Sequence, residues 1–242
     1  MGDGRIDRTW PRFAHVLSSC GATTVVAARR AERLHALVEE IEVKGGTAKA
    51  VAFDAADRDR LNRLFVTLRA EALTPTNLIN ATCVSRPGRA ERIFVDDFAE
   101  TVAVNSRAPW HLSQRCVRDW IETGVKGVIV NVASMLARRV GMCVPVYSLA
   151  EAALSHMTAT QAREWAAHGI RVSALSPDYI RTEINDNFWN TEMGQRELQR
   201  VPLRRIGNPE DLDTALPFLV NPTSHFMNGS DIIVDDAQSW AL

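Results

Sequence analysis

The sequence predicts an α/β fold: a doubly wound, Rossmann-like parallel sheet. Short apolar runs rich in valine, isoleucine and alanine alternate along the chain with amphipathic segments of helical period. Such alternation is typical of strand–helix–strand units, which build parallel sheets covered by helices on both faces. The length of 242 residues suits one domain, and no repeat or linker divides it. We therefore expect a single domain over residues 1–242.

The predicted elements follow one another in a regular order. The run Thr23–Ala28 (TTVVAA) is rich in β-branched residues and predicts a buried strand. The helix after it has apolar residues at positions 34, 37, 38 and 41 and stops at Gly45 and Gly46. The segment 181–201 is polar and aromatic without a clear period, which predicts a mobile flap. Further strands are predicted at 48–53, 77–81, 125–132, 170–175 and 231–234, and further helices near 61–68, 98–121, 145–168 and 209–219.

The beginning of the predicted sheet is incomplete. A sheet of this type normally opens with a buried strand that leads into a glycine-rich phosphate-binding turn. Only three residues precede Gly4, too few for a strand at about 3.3 Å per residue. We therefore expect the first strand to be missing or truncated. Because it would lie in the middle of the sheet, either the flanking strands close the gap or another segment fills it.

Composition excludes several classes of function. The formal net charge of −1 gives no basic surface for nucleic acid or anionic membranes. No apolar run approaches the roughly 18 residues of a membrane span, and the first residues lack the apolar core of a signal peptide. The four cysteines form no CxxC pair, and the six histidines show no metal-ligand spacing. We expect a cytoplasmic protein with reduced thiols and no metal.

Several short segments recur in a recognisable order. They are AARRAERL, FDAAD, LINATCV, VAVN, IVNVAS, GIRVSALSPDYIRTEI and GSDIIVDDA. In order and spacing they resemble the short-chain dehydrogenase/reductase family over nearly the whole chain. That family uses an asparagine, a serine, a tyrosine and a lysine for catalysis. Asn105, Ser134 and Tyr147 match the first three, whereas Glu151 stands at the lysine position.

The substitution at position 151 bears directly on the chemistry. Residues four apart on a helix share a face, so Glu151 is expected beside the Tyr147 phenol. In the family, the lysine lowers the pKa of the tyrosine and hydrogen-bonds the ribose of a nicotinamide cofactor. A carboxylate would instead disfavour the phenolate by like-charge repulsion. The resemblance therefore implies a tyrosine with an unsuitable pKa.

The glycine-rich turn of the family, TGxxxGxG, aligns with the segment DGRIDRTW. Only Gly4 survives there, while Arg8 and Trp10 occupy the other two glycine positions. Those glycines permit a tight turn and close approach of the backbone to pyrophosphate. An indole at the last of them would fill space that the nucleotide needs.

Other expected cofactor contacts are partly kept. Cys83 replaces a glycine beside the cofactor, and Asp178 places a carboxylate near the nicotinamide position. Arg29, with Arg30, matches a position where arginine favours the 2′-phosphate of NADP. By the resemblance, the remaining cofactor contacts are remnants: Gly4, Arg29, Asp54, Asn80 and Thr182.

These departures predict a chain that binds no NAD(P) and is inactive alone, because hydride transfer depends on the cofactor. We expect a non-catalytic subunit assembled with an active paralogue of the same family, which would hold the NAD(P). The family includes such heteromeric dehydrogenases, among them one acting on hydroxybenzylsuccinyl-CoA, so a CoA thioester is the implied substrate. Trp110, Trp120 and Trp165 lie on the two long helices and suit either an interface or the core.

Two alternatives remain open. Halohydrin dehalogenases resemble the family in fold but use no nicotinamide, so Ser134, Tyr147 and Glu151 could catalyse an elimination or isomerisation. Residual NADP-dependent reduction would require Arg8 or Arg29 to replace the lost phosphate contacts.

Overall fold

The computed structural model of the protein describes residues 9–182 and 185–240. All strand pairs in the described part are parallel, in two sheets of order β1-β2 and β3-β4-β5-β6. This arrangement confirms the doubly wound α/β architecture. The strands are β1 (Thr23–Ala28), β2 (Thr47–Ala52), β3 (Asn77–Asn80), β4 (Val128–Val132), β5 (Arg171–Pro177) and β6 (Asp231–Val234).

Helices follow the strands along the chain. A π-helical turn, Ala103–Arg107, joins two of them where the sequence predicted one continuous helix. The predicted flap contains two short helices rather than irregular chain. A first helix is also present that the sequence interpretation did not foresee. The helices are α1 (Thr9–Ser19), α2 (Ala31–Val43), α3 (Arg58–Ala70), α4 (Val95–Val102), α5 (Ala108–Thr123), α6 (Pro145–Trp165), α7 (Asp186–Trp189), α8 (Glu192–Leu198) and α9 (Ala215–Val220).

The central strand that the sequence predicts to be missing would lie between the two sheets. Within the described residues no strand lies between β1 and β3, and these two strands do not pair. Helix α1 spans the junction, because Trp10 packs against apolar clusters that belong to both sheets. Gly4 and Arg8 lie outside the described residues. In the described part the flanking strands therefore do not close the gap.

The largest core side chain is Trp120 on α5. It is 1% exposed, and its indole N–H donates to the carbonyl of Pro75 at 2.6 Å. Gly127 leaves room for this ring, since a Cβ there would lie 2.3 Å from Trp120. Trp120 is therefore core rather than interface, whereas Trp110 is 41% exposed. No helix in the described ranges has the length and apolar character needed to cross a membrane.

Candidate active site

Ser134 lies just beyond the carboxyl end of β4. The backbone N–H of Ala133 donates to the carbonyl of Leu175 at 2.8 Å, which extends the pairing of β4 with β5 to this point. Ser134 is extended, and its Oγ accepts a hydrogen bond from the backbone N–H of Leu136 at 3.2 Å. The hydroxyl is thus fixed at the edge of the sheet where open α/β folds bind ligands.

Tyr147 lies in the first turn of α6, which begins with Pro145. Proline suits this position because the first turn of a helix has no acceptor for its N–H. The helix packs against the turn Met135–Ala137 that follows Ser134. The tyrosine is partly buried. The fold therefore brings Tyr147 and Ser134 to the same region of the sheet edge.

Asn105 lies in the π-helical turn between α4 and α5. Its Oδ1 accepts from the backbone N–H of Val84 at 2.8 Å, and its Nδ2 donates to the carbonyl of Val84 at 3.1 Å. The same Nδ2 donates to Oε1 of Glu151 at 3.0 Å. Asn105 thereby joins the loop after β3 to helix α6, and its orientation is fixed from both sides.

Glu151 is buried, with 1% of its surface exposed. Burial raises its pKa to about 8, and the hydrogen bond from Asn105 only partly offsets this effect. In most molecules the Glu151 carboxyl is therefore protonated and neutral at pH 7. A neutral acid exerts no like-charge repulsion on a neighbouring phenolate, so the expected electrostatic damage to Tyr147 does not arise at that pH.

Three buried polar atoms near this edge have no hydrogen-bond partner among the described residues. They are Asn80 Oδ1, Thr82 Oγ1 and Glu151 Oε2. Asn80 ends β3, and the loop after it continues to Val84, which bonds the Asn105 side chain. Buried polar atoms are nearly always paired in native proteins, so a water molecule or another polar group is expected beside these atoms. Thr82 was not identified from the sequence, because a threonine in a loop gives no signal of burial.

The other expected cofactor contacts follow the carboxyl ends of the strands. Arg29 is exposed directly after β1. Asp54 follows β2, and its Oδ1 accepts from the N–H of Ala56 at 3.0 Å. Thr182 follows β5, is buried, and donates its backbone N–H to Asn185 at 2.9 Å. Since the strand pairs within each sheet are parallel, Arg29 and Asp54 lie at one edge of the first sheet, and Thr182 follows the edge of the second sheet that carries Ser134.

Three residues that depart from the family pattern, Cys83, Asp178 and Trp10, differ in how far they are buried. Cys83 is exposed. Burial raises the pKa of Asp178 to about 7, with a further contribution from the charge of Asp235. The indole of Trp10 packs against the two apolar clusters beside α1. The carboxyl of Asp178 is thus only partly charged at pH 7.

Comparison with known proteins decides the family. A family model described as enoyl-(acyl carrier protein) reductase matches residues 12–236. The chain belongs to the short-chain dehydrogenase/reductase family.

Relatives within this family include sugar-acid dehydrogenases, and others are named for D-threitol and a 7α-hydroxysteroid. Gluconate 5-dehydrogenase of Gluconobacter oxydans (strain 621H) is 27% identical over 231 residues, 95% of this chain and 90% of that protein. The 2-dehydro-3-deoxy-D-gluconate 5-dehydrogenase of Escherichia coli (strain K12) is 29% identical over 82% of this chain and 79% of its own. A crystal structure of a gluconate 5-dehydrogenase from Burkholderia cenocepacia J2315 in complex with NADP and tartrate has a TM-score of 0.92, with 25% identity, and covers 100% of this chain and 94% of that chain.

These relatives correct the function expected from the sequence. A non-catalytic subunit without a cofactor is wrong, because the relatives are named dehydrogenases and a solved neighbour holds NADP. The cofactor-free elimination or isomerisation through Ser134, Tyr147 and Glu151 falls with it. At position 151 the physical reason is burial, which keeps Glu151 mostly neutral. Gly4 and Arg8 of the expected phosphate turn lie outside the described residues. Association with an active paralogue stays a prediction, as do the roles of Asn105, Ser134 and Tyr147.

Proposed function

We propose that the protein is an NAD(P)-dependent oxidoreductase that interconverts a secondary alcohol and a ketone on a small polyhydroxy acid. The observation that carries this proposal is that Ser134, just beyond β4, and Tyr147, in the first turn of α6, lie on two segments that pack against each other at the carboxyl end of β4. The acid is suggested by the relatives, which are named for gluconate and a gluconate derivative.

The described residues that follow the strands suit a dinucleotide, and Trp10, which stands at a glycine position of the phosphate turn, packs into the apolar clusters beside α1. Asn80, Thr82 and Glu151 each have a buried oxygen atom without a hydrogen-bond partner among the described residues, at the end of β3 and on α6. Arg29 and Arg30 follow β1, where arginine accommodates the 2′-phosphate of NADP. Asp54 follows β2 and Thr182 follows β5, and the family resemblance assigns both positions to cofactor contacts. When bound, the nicotinamide would supply the acceptor or donor of hydride.

The chain itself would manage the proton and the orientation of the substrate. Tyr147 would accept the proton of the alcohol during oxidation and return it during reduction. Ser134 would donate a hydrogen bond to the same substrate oxygen. Glu151 and Asn105 would position the helix that carries the tyrosine, since their hydrogen bond fixes α6 against the loop after β3.

Cofactor binding tests the proposal. We expect the purified chain to bind NADP in calorimetry and to reduce it when gluconate is added. Arg29→Ala with Arg30→Ala should weaken NADP binding about tenfold or more while changing NAD binding much less, because only NADP carries the phosphate that arginine pairs with. Arg63→Ala, an exposed arginine on α3, is the matched control. Failure of the wild-type chain to bind either cofactor would refute the proposal.

A further inference from the structure

We propose that a groove lined by arginines beside α7 and α8 binds a small organic anion bearing a carboxylate or phosphate group. The groove has a volume of about 360 Å³ and is lined by none of the residues Asn105, Ser134, Tyr147 and Glu151. Its polar lining consists of three arginines and three amides: Arg181, Arg204, Arg205, Asn190, Gln195 and Asn208. The proposed binding site therefore shares no lining residue with the reaction centre described above.

The lining of the groove contains three arginines and no carboxylate, but three aspartates contact two of these arginines from outside it. Arg181 pairs with Asp186, and Arg205 pairs with Asp211 at 3.2 Å and with Asp236 at 2.6 Å. Those three aspartates do not line the groove, and neither does any other carboxylate of the described chain. These aspartates offset the charges of Arg181 and Arg205, so the uncompensated positive charge of the lining is that of Arg204.

Arg204 is the distinguishing residue. Among the residues that the structure describes, no side chain or carbonyl pairs with its guanidinium, whereas the guanidinium groups of Arg181 and Arg205 are already held by carboxylates. Guanidinium presents a planar fork of donors that matches carboxylate and phosphate oxygens in a bidentate manner. Arg204 is thus available to receive an oxyanion.

The remainder of the lining favours an organic ligand over a simple ion. Trp189, Leu198 and Ile206 line the groove, and Leu198 is partly exposed and offers apolar surface to a carbon skeleton. The Gln195 amide donates to the carbonyl of Trp189 at 2.7 Å, which fixes its orientation and leaves its oxygen available. A cavity of this size is near the lower end of the range for small-molecule sites. A short carbon chain with hydroxyl groups and one anionic end matches these features.

The groove also joins both ends of the segment that contains α7 and α8. The backbone N–H of Arg181 donates to the carbonyl of Gly207 at 2.8 Å, and Gly207 donates to the carbonyl of Tyr179 at 2.9 Å. An anion held between Arg181 and Arg204 would link residues on the two sides of this segment. Binding should therefore raise the melting temperature, because a ligand that binds only the folded state stabilises it.

Thermal melting without any nicotinamide tests the groove independently of the proposed reaction. Sodium gluconate, sodium phosphate and neutral glucose are titrated at constant ionic strength, which is held with sodium chloride because salt screens exposed charges. We expect an anion, but not glucose, to raise the melting temperature of the wild-type chain. Arg204→Ala should weaken that binding about tenfold, since a charge-assisted hydrogen-bond pair is lost. Arg204→Lys, which keeps the charge but loses the fork, should bind with intermediate affinity.

Arg200→Ala is the matched control, since Arg200 is exposed on the same segment and pairs with Glu197 at 2.8 Å outside the groove. Stronger stabilisation by gluconate would assign the ligand to the carboxylates, and stronger stabilisation by phosphate would assign it to the phosphates. Either result, lost in Arg204→Ala and kept in Arg200→Ala, supports the site. No stabilisation of the wild-type chain by either anion, or equal stabilisation of all variants, would overturn it. Because no cofactor is present, these outcomes do not depend on dehydrogenase activity.

Discussion

Replacing Tyr147 by phenylalanine should lower kcat by about 10²- to 10⁴-fold, the usual contribution of a positioned general acid or base. The change removes one hydroxyl group and keeps the ring that packs in the first turn of α6. The proton of the substrate alcohol would then have no acceptor in the site, since Ser134 is only a hydrogen-bond donor to that oxygen. The measurement is the steady-state rate of NADP reduction with gluconate. KM should change much less than kcat, because the phenol is required mainly in the transition state.

Tyr179→Phe is a matched control for this substitution, since the chain has only two tyrosines. Tyr179 packs edge-on against Trp189 with ring centroids 4.8 Å apart and is not among the proposed catalytic residues. Its loss of a hydroxyl should leave kcat within a few-fold of the wild-type value. A Tyr147→Phe enzyme with nearly full activity would show that another group moves the proton, and the assignment of Tyr147 would be wrong.

The sequence predicts the architecture well because hydrophobic period and turn residues are local signals. The predicted strand Thr23–Ala28 coincides with β1, and the final strand 231–234 coincides with β6. Helix α1 was not foreseen, although Phe13 and Ala14 are buried on one of its faces. The family resemblance assigns residues 3–10 to a phosphate turn, whereas the structure begins helix α1 at Thr9.

The site was harder to predict because its chemistry depends on burial and pairing between distant segments. Nothing in the local sequence indicates that Asn105 bonds both Val84 and Glu151, since these residues lie on three separate elements. A glutamate read from a sequence is assigned its ordinary charge. Here burial changes that charge, and with it the inference about activity.

Glu151 should make the protein less stable as pH rises, and Glu151→Gln should remove this effect. Its pKa is about 8 in the folded protein against an ordinary value of 4.5. Between these values the unfolded chain has released a proton that the folded protein retains. Each pH unit in this window therefore lowers the free energy of unfolding by about 1.4 kcal/mol, and the penalty becomes constant above the folded pKa. The accumulated loss by pH 8 is on the order of several kcal/mol.

Urea unfolding at pH 5.5, 6.5 and 7.5 measures this slope directly. Glutamine keeps an oxygen to accept from Asn105 and cannot ionise, so Glu151→Gln should match the wild type near pH 5 and exceed its stability progressively towards pH 8. Glu164→Gln, an exposed position on the same helix, should retain the wild-type slope. Asp178 titrates in an overlapping range but is present in every variant, so the difference between variants isolates Glu151. Parallel stability curves for the wild type and Glu151→Gln would mean that Glu151 is already ionised at neutral pH, and the repulsion of the Tyr147 phenolate would then have to be reconsidered.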